Sequence, residues 1–204
     1  EAADADIGEE NNRLMIDIDD SYLTARSGND IYIRPVDFQD INIDTMYAPG
    51  HIDLNVPASI YGSTDTDLNI RCGSLDLVAP GSVGRVAGGI TEFLKIGLNP
   101  AGKLNADIGG DIYINSPKHY LTTGKIKSAA GNITLFGGSD INVSSSGGDL
   151  IKAEFGDVKL YAGRSILDAD DDISPGVIGQ NIDLWAQYGS IGTILILMLV
   201  VYFN

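Results

Sequence analysis

The stretch AAGNITLFGGSDINVSSSGGDLIKAEFGDVKLYAGRSI, residues 129–166, repeats one five-residue word four times: GNITL, SDINV, GDLIK and GDVKL. Each word opens on a turn-forming residue, passes through Asp or Asn, and continues with an aliphatic residue and usually a second one two positions on. Alternation of that kind places two side chains on one face of a short strand. A run so short cannot form a sheet alone, so each word needs partners from elsewhere in the chain.

The word recurs outward in both directions, as NDIYI at 29, QDINI at 39, GHIDL at 50, TDLNI at 66, GSLDL at 73, GKLNA at 102, GDIYI at 110, GKIKS at 124 and QNIDL at 180. Gaps interrupt the rhythm near 80–100 and 161–180. Asn-Gly and Asp-Gly hairpin signals are nearly absent between words, whereas the polar turn residue keeps the same place in each. A repeated turn at a repeated phase predicts a coil whose strands stack in parallel on the coils before and after, a right-handed parallel β-helix (β-solenoid), with an antiparallel β-sandwich as the alternative. The predicted core is Ile31, Ile33, Ile41, Ile43, Ile52, Leu54, Leu68, Ile70, Leu75 and Leu77 in the first half. Ile112, Ile114, Ile133, Leu135, Ile141, Val143, Val158, Leu160, Ile182 and Leu184 continue it, and the Asp or Asn before each pair is expected to cap a turn or face solvent.

Composition agrees with a chain that turns often. The 204 residues carry 25 glycines, and most of the 28 acidic side chains are Asp, which favours turns where Glu favours helix. A hydrophobic content of 44% is enough for a sizeable core in one domain. The formal net charge of −15 disfavours nucleic acid and anionic membrane surfaces as partners. The single Cys72 reads as a small buried hydrophobe. The opening EAADADIGEENN is acidic and lacks the apolar stretch of a secretory signal, as expected of a cytoplasmic chain, a processed one or a piece of a longer protein.

The expected division is a solenoid repeat segment over 1–193 and, over 194–204, an apolar terminal strand or the start of a next repeat or truncated segment. The run from Ile194 to Phe203 is about half the ~20 residues that a membrane helix needs. It reads as the start of a membrane helix cut short, as a strand buried on both faces, or as an interface strand, and as a strand it requires cover from the next coil or the next subunit. An Ile-Gly dipeptide followed by aliphatic alternation occurs at Ile7 and again at Ile191, which suggests a longer period of 184 residues.

IGEENNRLMIDID from Ile7, LTARSGNDIYI from Leu23, GNITLFGGSDINV from Gly131 and GDVKLYAGRSILDADDD through VIGQNIDLWAQYGSIGT, residues 156–193, together resemble the repetitive shaft of very large filamentous-haemagglutinin-like surface proteins. The likeness covers most of the chain and is strongest from Gly156 to Thr193. It implies a parallel β-helix secreted by a Gram-negative bacterium and displayed extracellularly or on the cell surface, with adjacent repeats or further copies as its partners. It also implies an amino-terminal secretion domain. LNPAGKL at 98–104 echoes that domain only faintly and lies mid-chain.

Few residues point to chemistry. Asp168, Asp170, Asp171 and Asp172 fall in one loop, ILDADDDISPG, and clustered carboxylates suit calcium. The EF-hand pattern fails there, because Ile173 stands where its glycine belongs and Gly179 where its bidentate acid belongs. Asp17, Asp19, Asp20, Asp65 and Asp67 have the residue type for acid–base work, but close Asp pairs are unavoidable in so Asp-rich a chain. His51 and His119 lack a second ligand at metal spacing, and no nucleophile elbow or phosphate loop is present. The sequons at Asn132 and Asn142 sit in the second place of the word, where Asn serves the turn. The expected function is therefore a non-catalytic structural segment of a filament or adhesin shaft, without a cofactor. The alternative is a β-helix that binds or cleaves carbohydrate, with host or cell-surface glycans as partners, for which clustering of the nine tyrosines on one face is the discriminating feature.

Overall fold

The computed structural model describes residues 5–19, 21–36, 38–170 and 174–192 of the chain. The expected terminal segment at 194–204, the Asp20 candidate, and Asp171 and Asp172 of the acidic loop lie outside the described residues.

The chain winds into a parallel β-solenoid of about seven turns, so the sandwich alternative is set aside. One long strand, Ile41–Asn55, shows how a turn is made, because it bends through all three faces of the coil. Its residues 41–43 pair with Ile60–Gly62 on the first face. Residues 46–48 pair with 70–72 on the second face, and residues 51–55 with 74–78 on the third, with a register shift at the corner between Ala48 and His51. Pro49, which has no N–H to donate, and Gly50, whose N–H donates to the Asn29 carbonyl oxygen of the preceding coil at 3.1 Å, occupy that corner.

On the first face, Ile41, Ile60, Val83, Ile112, Ile133, Val158 and Ile182 fall in register, one per coil, and form a continuous aliphatic column. Leu135 and Leu160 extend a second column beside it. On the third face, Ile31, Ile52, Leu75 and Leu104 align in the same way. Each of these side chains except Ile182 is essentially solvent-free. Full burial of an Ile, Leu or Val contributes about 1.5–3 kcal/mol, which is how words too short to fold alone become cooperative when stacked.

Of the predicted core, Leu68, Ile182 and Leu184 are not fully buried. At TDLNI Ile70 lands in the core as read, but at the corner before it the buried side chain is Asn69 and Leu68 is half-exposed. At GDLIK the phase itself moves by one, with Ile151 and Ala153 inward and Leu150 at the turn. Ile182 is 47% exposed on the last described first-face strand. The 184-residue offset does not survive as a strict repeat. Ile7 bridges Ile31 on the third face, whereas Ile191 bridges Ile166 on the second, and a regular period would return both to one face.

The polar residue that opens each word joins the coils. Asp40, Ser59, Ser82, Asp111, Asn132, Asp157 and Asn181 stack one per turn before the first face. From Asp40 to Asp157, each side-chain oxygen in this column accepts a hydrogen bond from the backbone N–H of the residue one coil on, at 2.7–3.2 Å, and Asn181 is the last donor. This is the N-capping interaction of Asp, Asn and Ser transferred from helix starts to coil corners. Glycine is required where corners approach closely: a Cβ on Gly102 would collide with the carbonyl oxygen of Gly73, and one on Gly138 with that of Pro117.

The gap near residue 90 holds a feature that the word pattern omits. Arg85–Ala87 and Ile90–Glu92 form an antiparallel hairpin, with Gly88 and Gly89 at φ +59° and +82° in its turn. Two consecutive residues at positive φ are what a type I′ hairpin demands, and Gly-Gly supplies them. The hairpin departs from the first face between Val83 and Leu94, and Val86 and Ile90 are exposed on it.

Candidate functional site

The acidic loop is engaged in holding its own corner. Asp168 Oδ1 accepts the Asp170 backbone N–H at 3.0 Å. Asp170 Oδ2 accepts from Ser144 Oγ at 2.7 Å and from the Ser145 N–H at 2.5 Å. Ser144 in turn touches Asp149, which pairs with Lys103 at 2.8 Å. Among the described residues no group of three or more His, Cys, Asp or Glu side chains is arranged to hold a metal ion. Of the other acidic candidates, Asp67 faces Lys118 at 3.6 Å while remaining exposed. Asp19 lines a polar cleft of about 640 Å³ with Asp40, Tyr61 and Arg85.

A partly buried charge network on the third face escaped the sequence reading. Tyr32, Asp53, Asp76 and Asn105 occupy one outward row. Arg13 makes two hydrogen bonds to Asp53, which is only 8% exposed. His51 Nε2 lies 3.4 Å from Asp76 Oδ2, and Asn105 donates to Asp76 Oδ1 at 2.7 Å. The bond to Asp76 raises the His51 pKa against the effect of burial. For Asp76, burial pushes upward, but the bonds from His51 and Asn105 reverse it and hold the carboxyl below its ordinary value. Every member has a partner within the fold, so the row is a device that holds coils together. Cys72 is buried, and desolvation pushes its thiol up to about 12, which leaves it inert.

The tyrosines spread over all three faces: Tyr32 on the third, Tyr47 between Arg26 and Arg71 on the second, and Tyr61, Tyr113 and Tyr161 on the first. Phe and Trp, however, complete a row that Tyr alone conceals. Asn115, Phe136, Tyr161 and Trp185 occupy one outward position in four successive coils of the first face. Phe136 and Tyr161 stack with centroids 4.6 Å apart and planes 19° from parallel. Phe93, at the foot of the hairpin, meets Phe136 edge-on at 5.3 Å and Tyr113 at 6.2 Å. The Tyr161 hydroxyl donates to Asp183 at 3.2 Å, and Trp185 is 60% exposed.

Clefts flank this row on both sides. One, of about 560 Å³, runs between the rings and the corner glycines Gly138 and Gly163, with Asn115 and Gln187 along it. The other, of about 510 Å³, lies between the rings and the hairpin, lined by Thr91, Thr134 and Lys159 among others. The glycine side is a consequence of coil stacking, since neither glycine has room for a Cβ. The aromatic identity of three consecutive outward residues is not dictated by stacking in the same way, because the neighbouring outward row reads Tyr113, Thr134, Lys159, Asp183.

No family model matches the chain, and neither a curated protein nor a solved structure shows significant similarity to it. No helix among the described residues is long and apolar enough to cross a membrane.

Proposed function

We propose that this chain is a non-catalytic structural segment of a long extracellular rod, the shaft of a filament or adhesin carried on the surface of a Gram-negative bacterium. The observation that carries this reading is the column of side-chain-to-backbone hydrogen bonds from Asp40 to Asn181, running beside the Ile41 to Ile182 aliphatic column. Both columns serve contact with the next coil rather than with a substrate. The same two devices at every turn give a stiff body that lengthens by repetition. Its acidic exterior, at a net charge of −15, keeps neighbouring rods apart. Charged side chains that elsewhere would suggest acid–base chemistry are bonded within or between coils here, as at Asp53, Asp76, Asp149 and Asp170. The resemblance to haemagglutinin-like shafts supports the extracellular setting and further coils or copies as partners.

Immunogold labelling of the producing cells, with antibodies raised against this chain, tests the reading. Gold aligned along surface fibres supports it. Gold confined to the cell interior overturns it.

A further inference from the structure

We propose that the first face, between the glycine corners and the hairpin, binds an uncharged oligosaccharide lying along the solenoid axis, with the Phe136–Tyr161–Trp185 row as its apolar contact. A rod needs neither the hairpin nor exposed aromatics. The longest interval between first-face strands is spent on the hairpin, and Phe93 at its foot braces it on the aromatic row. The rod also places both ring-flanking clefts on that one face.

The chemistry of the two clefts selects the occupant. One wall is aromatic carbon, and the other positions carry side-chain amides from Asn115, Asn132 and Gln187, the Thr134 hydroxyl, and the opposite charges of Lys159 and Asp157, which leave the polar wall without a net charge. A ligand that suits it has C–H surfaces on one side and hydrogen-bonding hydroxyls on the other, which describes a pyranose chain. Coils repeat at about the ~4.8 Å spacing of adjacent strands, close to the length of one pyranose ring, so successive sugars meet successive rungs. A peptide adding as a strand is disfavoured, because the first-face strands beneath the row already pair with coils above and below. Sulfated glycans and nucleic acids are repelled by the net charge of −15. The site does not depend on the shaft reading: a rod without a glycan site and a glycan-binding protein that forms no fibre are both physically sound.

Trp185 is the chain's single tryptophan and sits on the row, so intrinsic fluorescence reports occupancy directly. The full chain is first applied to an array of neutral and anionic glycans. Trp185 emission is then titrated with the neutral hexasaccharides that bind and with a heparin hexasaccharide. The expected result is saturable change with a neutral hexasaccharide, weaker binding of its disaccharide, and about tenfold loss of affinity in Tyr161→Ala, the effect of removing one aromatic contact. Gln187→Ala, an exposed position on the rim, weakens binding with an unchanged circular dichroism spectrum and guards against a folding defect in the first variant. Binding only to heparin, no glycan bound, or wild-type affinity in both variants would overturn the proposal.

Discussion

Asn69→Ala should cost about 3–4 kcal/mol, far more than a polar residue in a surface turn would. Asn69 is completely buried and ties three coils together. Its Nδ2 donates at 2.9 Å to Ser63 O and to Thr66 Oγ1, and more weakly to Ile43 O at 3.2 Å. Its Oδ1 accepts the Lys95 backbone N–H at 2.9 Å. Three well-formed bonds at about 0.5–1.5 kcal/mol each set the lower part of the range, and the desolvated Lys95 N–H left without its acceptor raises it. Asn69→Asp separates the two halves of the argument. It keeps the acceptor for Lys95 but points a second carboxylate oxygen at the Ser63 carbonyl, so it should be at least as damaging at pH 7 and recover as the carboxyl protonates. Urea unfolding followed by circular dichroism measures the loss. Because solenoids unfold partly coil by coil, amide exchange at Lys95 and at the distant Leu135 is read alongside. Protection should fall first at Lys95. A loss below about 1 kcal/mol in Asn69→Ala, or wild-type stability of Asn69→Asp at pH 7, would refute the reasoning.

Other substitutions probe separate parts of the fold. Ser116→Ala should be neutral or stabilising by about 1 kcal/mol in the same urea assay, since Ser116 Oγ is the buried side-chain oxygen without a partner among the described residues. Gly102→Ala should lose several kcal/mol, because its Cβ meets backbone that belongs to another coil, and thermal melting will register it. The His51–Asp76 contact should make stability pH-dependent in both directions. His51 has a raised folded pKa, so its contribution is complete below the unfolded value of ~6.5 and disappears as pH rises through the folded one. Asp76 has a lowered folded pKa, so its contribution is present above the unfolded value of ~3.9 and is lost as pH falls through the folded one. Wild type should therefore lose stability relative to His51→Gln as pH rises from about 6.5 through the raised folded pKa, measured by melting temperature; parallel profiles would remove the pair from the account.

Much of the fold is written locally. A strand that must stack on its equivalent one turn away needs alternating aliphatics and a turn residue at fixed phase, and both are visible without knowing the partner. Ile133 and Leu135 of GNITL, like Ile112 and Ile114 of GDIYI, land in the core as read. Leu68 of TDLNI gave up its core place because a buried Asn looks like a surface residue until its five partners, contributed from up to 26 positions away, are in place. The role of the opening Asp or Asn was half legible: a turn residue was expected, but the bond to the next coil depends on the coil length. The hairpin was overlooked because the search was for Asn-Gly and Asp-Gly, whereas Gly-Gly makes this turn.

The candidate site was less legible than the fold for a related reason. Phe136, Tyr161 and Trp185 each follow directly on a word, after GNITL, GDVKL and QNIDL, so superposing the words aligns them, but a reading confined to tyrosines passes over the row. The registers of the first face then turn that equivalence into one outward row. Conversely, Asp168 and Asp170 stood out as neighbours in sequence, and their carboxylates serve a corner built on Ser144 and Ser145.

Cryo-electron microscopy of the native, untruncated protein tests the central claim most directly. A continuous rod with an axial strand spacing of about 4.8 Å, running through this segment without a break, is the predicted result. A compact particle in which these coils end against a globular cap would contradict it.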